Sequence, residues 1–276
     1  MTVSKDPMPE PETAAPVSAE PSPAPRPVPG PPTLEVSGRV ATITLRRPDR
    51  ANVLQPEDLA ALDDHVQAVD AMPEVLALVL RAEGRFFCSG FDIGAIGNAR
   101  RVDFGAMVDR VAAARPVTIA AIQGGVYGGA TDLALACDFR VGAEGVDMFL
   151  PASRLGLVFY RGGLERYVRR LGVDAAKRIF LTCERLDAGE MKRIGFLTDL
   201  VPAETLEARV EALAATLGAL APIAVIAMKK HLNAIADGVF DAEDHAADAA
   251  LAGGSADLRE GRLAWKEKRP PRFTGA

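Results

Sequence analysis

The stretch that decides the fold is IQGGVYGGATDL, residues 122–133. It begins at the end of VTIAAI, residues 117–122, in which five of six residues are apolar, and continues into residues with helical spacing. A short run dominated by apolar residues is typical of a buried parallel strand. Glycines between a strand and a helix let the backbone approach a ligand closely, and the N–H groups at a helix start favour negative charge.

A second glycine segment, RFFCSGFDI at residues 85–93, follows the apolar run VLALVL at residues 75–80. Two backbone amides directed at one point stabilise an oxyanion. Taken alone, however, a glycine pair is more often only a turn. The two segments by themselves therefore leave a structural and a functional interpretation open.

Strand and helix patterns alternate on both sides of these segments. LEVSGRVATITL, residues 34–45, predicts a β-hairpin around Gly38, and residues 55–69 and 104–114 have the apolar spacing of helices. Beyond about Leu164 helices dominate, with candidates at 164–171, 174–182, 187–193, 203–219, 222–236 and 240–252. The order predicts an α/β front half followed by a helical C-terminal part.

Composition limits the class of protein. The 276 residues are 49% hydrophobic and 25% charged, enough for a core that needs neither disulfides nor metal. The net charge of −5 gives no electrostatic reason to expect nucleic acid or an anionic membrane as a partner. We find neither a signal peptide nor an apolar run long enough to span a membrane, and we expect a cytoplasmic protein.

The potential metal ligands are interpreted as structural. Cys88 and Cys137 stand in apolar runs, as buried free thiols do, and Cys183 is far from both in the sequence. The three histidines, at 65, 231 and 245, are read as surface or helix-end residues. No metal site is predicted.

Residues 1–33 form a segment of their own, with 11 of the 20 prolines. Alanine, serine and glutamate fill much of the remainder, so no core can form there, and we expect a disordered, partly polyproline-like tail. A spacer role and a partner-docking role both fit this composition.

Five segments, in order and with ordinary spacing over residues 34–274, resemble the crotonase superfamily, the enoyl-CoA hydratase/isomerase family. RFFCSGFDI and AIQGGVYGGATDLALACDFRVG resemble its two oxyanion-hole segments. The other three similar stretches are LRRPDRANVL, FLPASRLGL and EKRPPRF. The resemblance implies an α/β fold, a crotonase-like ββα spiral core at 34–200, with a C-terminal α-helical domain at 201–276. It also implies a homotrimer or a hexamer built from two trimers.

The resemblance further implies which residues bind the substrate, an acyl-CoA thioester. The amides of Phe91 and Gly129 are expected to hold the thioester oxygen. Coenzyme A is expected near Ser89, Phe91, Asp92 and Ile93, and Lys266, Lys268 or Arg269 could meet its phosphates, although these three also fit a solvated tail. Coenzyme A enters as part of the substrate, and no further cofactor is expected.

The acid/base residues depart from the family pattern. A typical hydratase has two glutamates; the first position is Asp132 here, and the second is Ala152. Asp132 could act as a base, or it could satisfy the first amides of its helix. Alanine cannot exchange a proton, so neither two-carboxylate hydration nor the family's glutamate-dependent isomerisation is supported in its usual form.

Other side chains could compensate. Tyr160 lies in a loop where family members place catalytic groups, within one residue of the tyrosine of the decarboxylases. On an extended strand, only one of Ser153 and Arg154 would face the pocket. Tyr127 could line the acyl pocket, although an aromatic residue beside a glycine turn is more often packing.

The resemblance implies, as the default reaction, hydration of a 2-trans-enoyl-CoA through a thioester enolate. The alternatives are an acyl-CoA isomerase or decarboxylase that uses Asp132 and Tyr160 as catalytic residues, or an acyl-CoA-binding protein without catalysis.

Overall fold

The computed structural model describes residues 28–92 and 103–276. The predicted tail therefore lies mostly outside the described residues, but its predicted end is too late. The first strand, β1, begins at Gly30 rather than at Leu34. Its pairing with the next strand shifts register between Gly30 and Thr33. Pro31 and Pro32 stand there, and proline has no N–H to donate to a strand pair.

A six-stranded sheet forms the centre of the molecule. Its first two strands form the predicted antiparallel hairpin, and every later neighbour pairs in parallel. In spatial order the strands are β1 (Gly30–Ser37), β2 (Val40–Arg46), β3 (Ala77–Ala82), β4 (Val117–Ile122), β6 (Phe139–Ala143) and β9 (Asp199–Val201). All six residues of β4 are buried, as expected of a strand covered on both faces.

A smaller, three-stranded sheet lies beside it. Its strands are β5 (Val126–Tyr127), β7 (Asp147–Phe149) and β8 (Leu186–Asp187). The strand β5 lies inside the second glycine segment. This sheet therefore fixes that segment from one side.

Helices cover the sheets and build the C-terminal part. They are α1 (Pro56–Asp70), α2 (Phe104–Ala113), α3 (Gly129–Ala136), α4 (Arg161–Leu171), α5 (Val173–Lys177), α6 (Ala188–Arg193), α7 (Leu206–Gly218), α8 (Pro222–Asp237), α9 (Ala242–Gly254) and α10 (Ala256–Glu267). A π-helical turn, Arg178–Thr182, follows α5. The helix α7 packs against β3, β4 and β6, so the helical half begins with an element that covers the central sheet.

The helix α10 was not among the predicted helices. The Ser255 hydroxyl caps its start by accepting from the Leu258 amide at 3.0 Å. The buried Asp257 carboxylate accepts from the amides of Thr274 and Gly275 at 2.7 and 2.9 Å, which ties the C-terminus to the helix. These contacts join residues that only the folded chain brings together.

Among the described helices, none is by itself both long and apolar enough to cross a membrane. Ala203–Gly218 and Pro222–Asp237 pass that test only as a pair, which is bent by 108°.

Candidate active site

The first glycine segment is held by the loop before α1. The Ser89 amide donates to the Ala51 carbonyl, the Leu54 amide to the Gly90 carbonyl, and the Asp92 amide to the Leu54 carbonyl, at 2.8–3.0 Å. Asn52, 2% exposed, secures this loop by donating to the carbonyls of residues 83 and 86. These bonds fix the backbone on either side of Phe91.

The second glycine segment turns sharply into α3. Gly128 has a φ of +55°, a conformation that glycine adopts without steric cost, and its amide donates to the Phe149 carbonyl at 2.8 Å. Gly129 is the first residue of α3. Its N–H is one of the amides that a helix cannot satisfy internally, so it can serve a ligand.

The two segments lie against each other. A Cβ built on Gly90 would be 2.8 Å from the Tyr127 carbonyl oxygen and 3.0 Å from the Gly129 nitrogen. The Tyr127 amide donates to the Cys88 carbonyl at 2.9 Å. The chain therefore brings together the segments of Phe91 and Gly129, as two amides serving one oxyanion require.

Phe104, the first residue of α2, covers this point. Its ring would lie 2.7 Å from a Cβ on Gly129, and its centroid is 6.0 Å from those of both Phe91 and Tyr160. An apolar ring beside the amides keeps water away from a bound oxygen. Exclusion of water strengthens hydrogen bonds to a developing negative charge.

Asp132 points inward from the first turn of α3 and has 0% exposure. The Tyr160 hydroxyl donates to its Oδ2 through a short contact, and the Arg166 Nε donates to its Oδ1 at 3.1 Å. Burial raises the pKa of the Asp132 carboxyl, while the positive charge of Arg166 and the Tyr160 hydrogen bond oppose that rise. Both oxygens of the carboxylate are therefore engaged by side chains.

Tyr160 precedes α4 as its N-cap residue, and its ring stacks on Phe159 with centroids 4.7 Å apart. Burial, followed by the negative charge of Asp132, raises the pKa of the Tyr160 hydroxyl well above its usual range. Tyr160 is thus neutral at physiological pH and only partly buried, whereas its partner Asp132 is fully buried. The structure brings these two predicted site residues into direct contact.

Ala152 is 4% exposed and belongs to the apolar core. The expectation of an extended strand around it was wrong. The strand β7 ends at Phe149, and Ser153–Leu155 form a 3₁₀ turn that begins after Ala152. The Ser153 hydroxyl donates a hydrogen bond to the Phe180 carbonyl at 2.5 Å. Neither Ala152 nor Ser153 thus offers a proton-transfer group.

Tyr127 serves the smaller sheet. Its hydroxyl donates to Asp147 Oδ1 at 2.9 Å, and the Arg185 guanidinium lies 5.2 Å from its ring centroid. These contacts fit the packing interpretation, which the sequence pattern favoured over a role in the acyl pocket.

The predicted coenzyme A residues are only partly described. Ile93 lies outside the described residues. Asp92 accepts from Gln55 Nε2 at 3.0 Å. Lys268, the C-cap residue of α10, has an exposed side chain, whereas Arg269 already forms an ion pair with Glu260 at 2.6 Å. Of these two residues, Lys268 is therefore the better placed to contact a phosphate.

The potential metal ligands have other partners. All three cysteines are buried and free, and burial raises the pKa of Cys88 to about 12. His231 is 7% exposed, so its prediction as a surface residue was wrong; it bonds to Asp248 at 2.9 Å. A metal ion could meet His231, Asp244 and Asp248 together, but the Lys230 ammonium already pairs with both carboxylates.

The sequence analysis missed Arg166, which is 3% exposed and also bonds to Asp109 Oδ1 at 2.7 Å. The sequence of α4 does not show which of its arginines, Arg166, Arg169 or Arg170, contacts the site. Its role depends on the approach of α2 and α3, which the sequence does not display.

Comparisons with known proteins identify the family of the chain. Residues 35–276 match the family model of enoyl-CoA hydratase/isomerase. The chain is 32% identical over 254 residues to the crotonyl-CoA hydratase of Syntrophomonas wolfei, with 87% of this chain and 96% of the relative covered. It is 30% identical over 209 residues to the short-chain-enoyl-CoA hydratase of Clostridium acetobutylicum, with 72% and 80% covered.

Solved structures are similar over nearly the same length. The enoyl-CoA hydratase of Bacillus anthracis has a TM-score of 0.79 at 28% identity, with 90% of this chain and all (100%) of that chain covered. The enoyl-CoA hydratase of Mycobacterium tuberculosis H37Rv has a TM-score of 0.79 at 28% identity, with 89% and 99% covered. With both glycine segments inside the matched residues, the chain belongs to the enoyl-CoA hydratase/isomerase family.

Proposed function

We propose that the protein converts an acyl-CoA thioester through its enolate, and that Tyr160 and Asp132 form a single proton relay for this step. The observation that supports the proposal is the contact between the Tyr160 hydroxyl and Asp132, beside the two glycine segments. The amides of Phe91 and Gly129 hold the thioester oxygen as it gains negative charge.

The relay moves one proton in each direction. When it removes an α-proton, that proton passes to the Tyr160 oxygen while the Tyr160 proton passes to Asp132 Oδ2, and the electron pair ends on the thioester oxygen. This direction needs an ionised Asp132. When the relay protonates an enolate, Tyr160 gives its proton to carbon and a protonated Asp132 replaces it.

Reactions that need only one acid/base group suit this site best. Migration of a double bond in an enoyl-CoA uses the relay in both directions. Decarboxylation of a malonyl-type CoA uses it only to protonate the enolate, after carbon dioxide has left. Neither reaction requires a second carboxylate at position 152.

Hydration of a 2-trans-enoyl-CoA is the second candidate, because the similar proteins of S. wolfei and C. acetobutylicum are enoyl-CoA hydratases. In this chain the added water would have to be activated by the Tyr160–Asp132 relay without a second carboxylate, since residue 152 is alanine. We expect slow hydration.

The experiment is to offer 2-enoyl-, 3-enoyl- and malonyl-type CoA thioesters in deuterated water and to follow the products by mass spectrometry. Added water, lost carbon dioxide, and deuterium uptake without another change separate the three reactions. Tyr160→Phe and Asp132→Asn should each lower the rate by about 100-fold or more. Tyr127→Phe, the matched control, removes a hydroxyl that faces Asp147 and should not.

Two outcomes would contradict the proposal. Turnover that survives Tyr160→Phe but not Asp132→Asn would show that Asp132 acts without the relay. Coenzyme A binding with neither deuterium exchange nor turnover would identify an acyl-CoA-binding protein without catalysis.

We also propose that the protein assembles as a homotrimer or hexamer in the cytoplasm. Large apolar side chains are exposed on the C-terminal helices, and a contiguous apolar surface marks an interaction site. They include Met228 (58% exposed), Leu232 (66%), Ile235 (59%), Leu251 (60%) and Trp265 (88%). Light scattering of the purified protein would test this, and a stable monomer would contradict it.

A further inference from the structure

Arg166 lies between two carboxylates. Its Nε donates to Asp132 Oδ1 at 3.1 Å, and its Nη2 donates to Asp109 Oδ1 at 2.7 Å. The side chains of Arg166 and Asp132 are 3% and 0% exposed, whereas that of Asp109 is 55% exposed. These side chains therefore form a row that runs from Asp109 at the surface, through the buried Arg166, to Asp132 and Tyr160 of the proposed relay.

The first turn of α4 is shaped for this row. A Cβ on Gly162 would lie 2.9 Å from Asp109 Oδ1, and a Cβ on Gly163 would lie 3.2 Å from Asp132 Oδ2 and 2.3 Å from the Phe159 ring. Both carboxylates thus approach the start of one helix where two consecutive residues have no side chain. A helix start favours negative charge, so both carboxylates lie at the end of α4 that suits them.

The charged and titratable groups that face Asp132 come from α2 and α4. Arg166 is the positive group in contact with it, and Arg169 contributes at longer range. Asp109 opposes them from α2. The hydroxyl groups are Tyr160, bonded to Asp132, and Tyr167, whose hydroxyl donates to Thr131 at 2.5 Å.

We propose that Arg166 and Asp109 are positioning residues that together set the protonation state of Asp132. Arg166 favours the ionised form of the buried carboxylate, because its positive charge, in contact with Asp132 Oδ1, opposes the cost of burying a charge at 0% exposure. Asp109 weakens that effect, because it adds negative charge and shares the same guanidinium. The inference depends on the proposed function for its meaning, but the protonation of Asp132 can be measured without turnover.

The two residues have effects of opposite sign. Asp109→Asn removes the opposing charge, so Asp132 should lose its proton at a lower pH than in the unmodified protein. Arg166→Gln removes the stabilising charge, so Asp132 should lose its proton at a higher pH. A role in packing alone would not move one titration in opposite directions.

The experiment is an infrared titration of the full-length protein. The Asp132 carboxyl band is identified as the band that Asp132→Asn removes. We expect its midpoint to move to lower pH in Asp109→Asn, to higher pH in Arg166→Gln, and to stay in place in Glu165→Gln. Glu165 is the matched control, because it is an acid of α4 whose ion-pair partner is the exposed Arg161.

Two results would overturn the inference: an unchanged midpoint in Asp109→Asn, or shifts in the same direction in both variants. If Arg166→Gln does not fold, Asp109→Asn decides alone, because its side chain lies at the surface. The pH dependence of turnover is measured beside the titration. Midpoints that move as expected in a protein with no turnover would support the inference and contradict the proposed function.

Discussion

Replacing Gly90 with alanine should separate the two glycine segments. Gly90 has a φ of +95°, and the new Cβ would meet the Tyr127 carbonyl oxygen at 2.8 Å and the Gly129 nitrogen at 3.0 Å. Both contacts are backbone atoms of a segment that the Tyr127 and Gly128 amides anchor by hydrogen bonds, so they cannot rotate away as a flexible side chain would. We expect the Phe91 and Gly129 amides to lose their common target.

The structure indicates the size of the effect. Loss of one oxyanion donor lowers kcat by about 100- to 1,000-fold in enzymes that use such a site. The positive φ costs about 1–3 kcal/mol for a residue with a Cβ, and the clash adds about 1–3 kcal/mol of overpacking. Gly90→Ala should therefore lose at least 100-fold in kcat and about 2–6 kcal/mol of the free energy of unfolding.

The assay combines kcat on the best thioester with urea unfolding followed by circular dichroism. Gly145→Ala is the matched control: Gly145 has a φ of +87° with no atom within 4 Å of the new Cβ. Gly145→Ala should lower the free energy of unfolding only by the cost of the positive φ, and kcat should be unchanged. A folded Gly90→Ala protein with the original kcat would refute the oxyanion assignment.

Three further predictions follow from the buried groups. Ala152→Glu should raise hydration of a 2-trans-enoyl-CoA by about 10-fold or more, because it supplies the missing acid/base group; no increase in a kinetic assay would mean that another group limits hydration. Burial raises the pKa of Cys88 to about 12 and of Cys137 to about 11, so both thiols should be protonated and resist iodoacetamide at pH ~8 until the protein unfolds; mass spectrometry of the alkylated native protein checks this. Lys229→Met should lower the free energy of unfolding by about 3–5 kcal/mol, because it leaves the Asp138 carboxylate, 2.7 Å from the ammonium, without its ion-pair partner. Urea unfolding measures the loss, and Lys230→Met, at an exposed pair, should cost less than about 1 kcal/mol.

The local sequence pattern predicted secondary structure correctly where the conformation of a segment depends mainly on its own residues. The buried strand at 117–122 is confirmed because five of its six residues are apolar, which is typical of a short strand covered on both faces. The hairpin around Gly38 is confirmed because the apolar alternation and the turn glycine agree. The helix α10 was missed, and its buried Asp257 accepts from the amides of Thr274 and Gly275, contacts that the linear sequence does not display.

The same limit applies to the candidate site. The two glycine segments and their resemblance to one family could be found in the sequence, because a close backbone approach requires glycine at fixed positions. The 3₁₀ turn after Ala152 could not be predicted, because nothing in the types of its three residues distinguishes a tight turn from a strand.

The sequence by itself determined the family, the α/β front half with a helical C-terminal part, and the two segments that carry the candidate oxyanion amides, because these depend on residue type and spacing along the chain. Only the tertiary structure decided what Asp132 contacts. Tyr160, Arg166 and Asp109 lie 28, 34 and 23 positions away from it in the sequence, and the packing of α2, α3 and α4 brings them together. The chemistry of a buried carboxylate is set by the charges and hydroxyl groups around it, and those neighbours exist only in the folded chain.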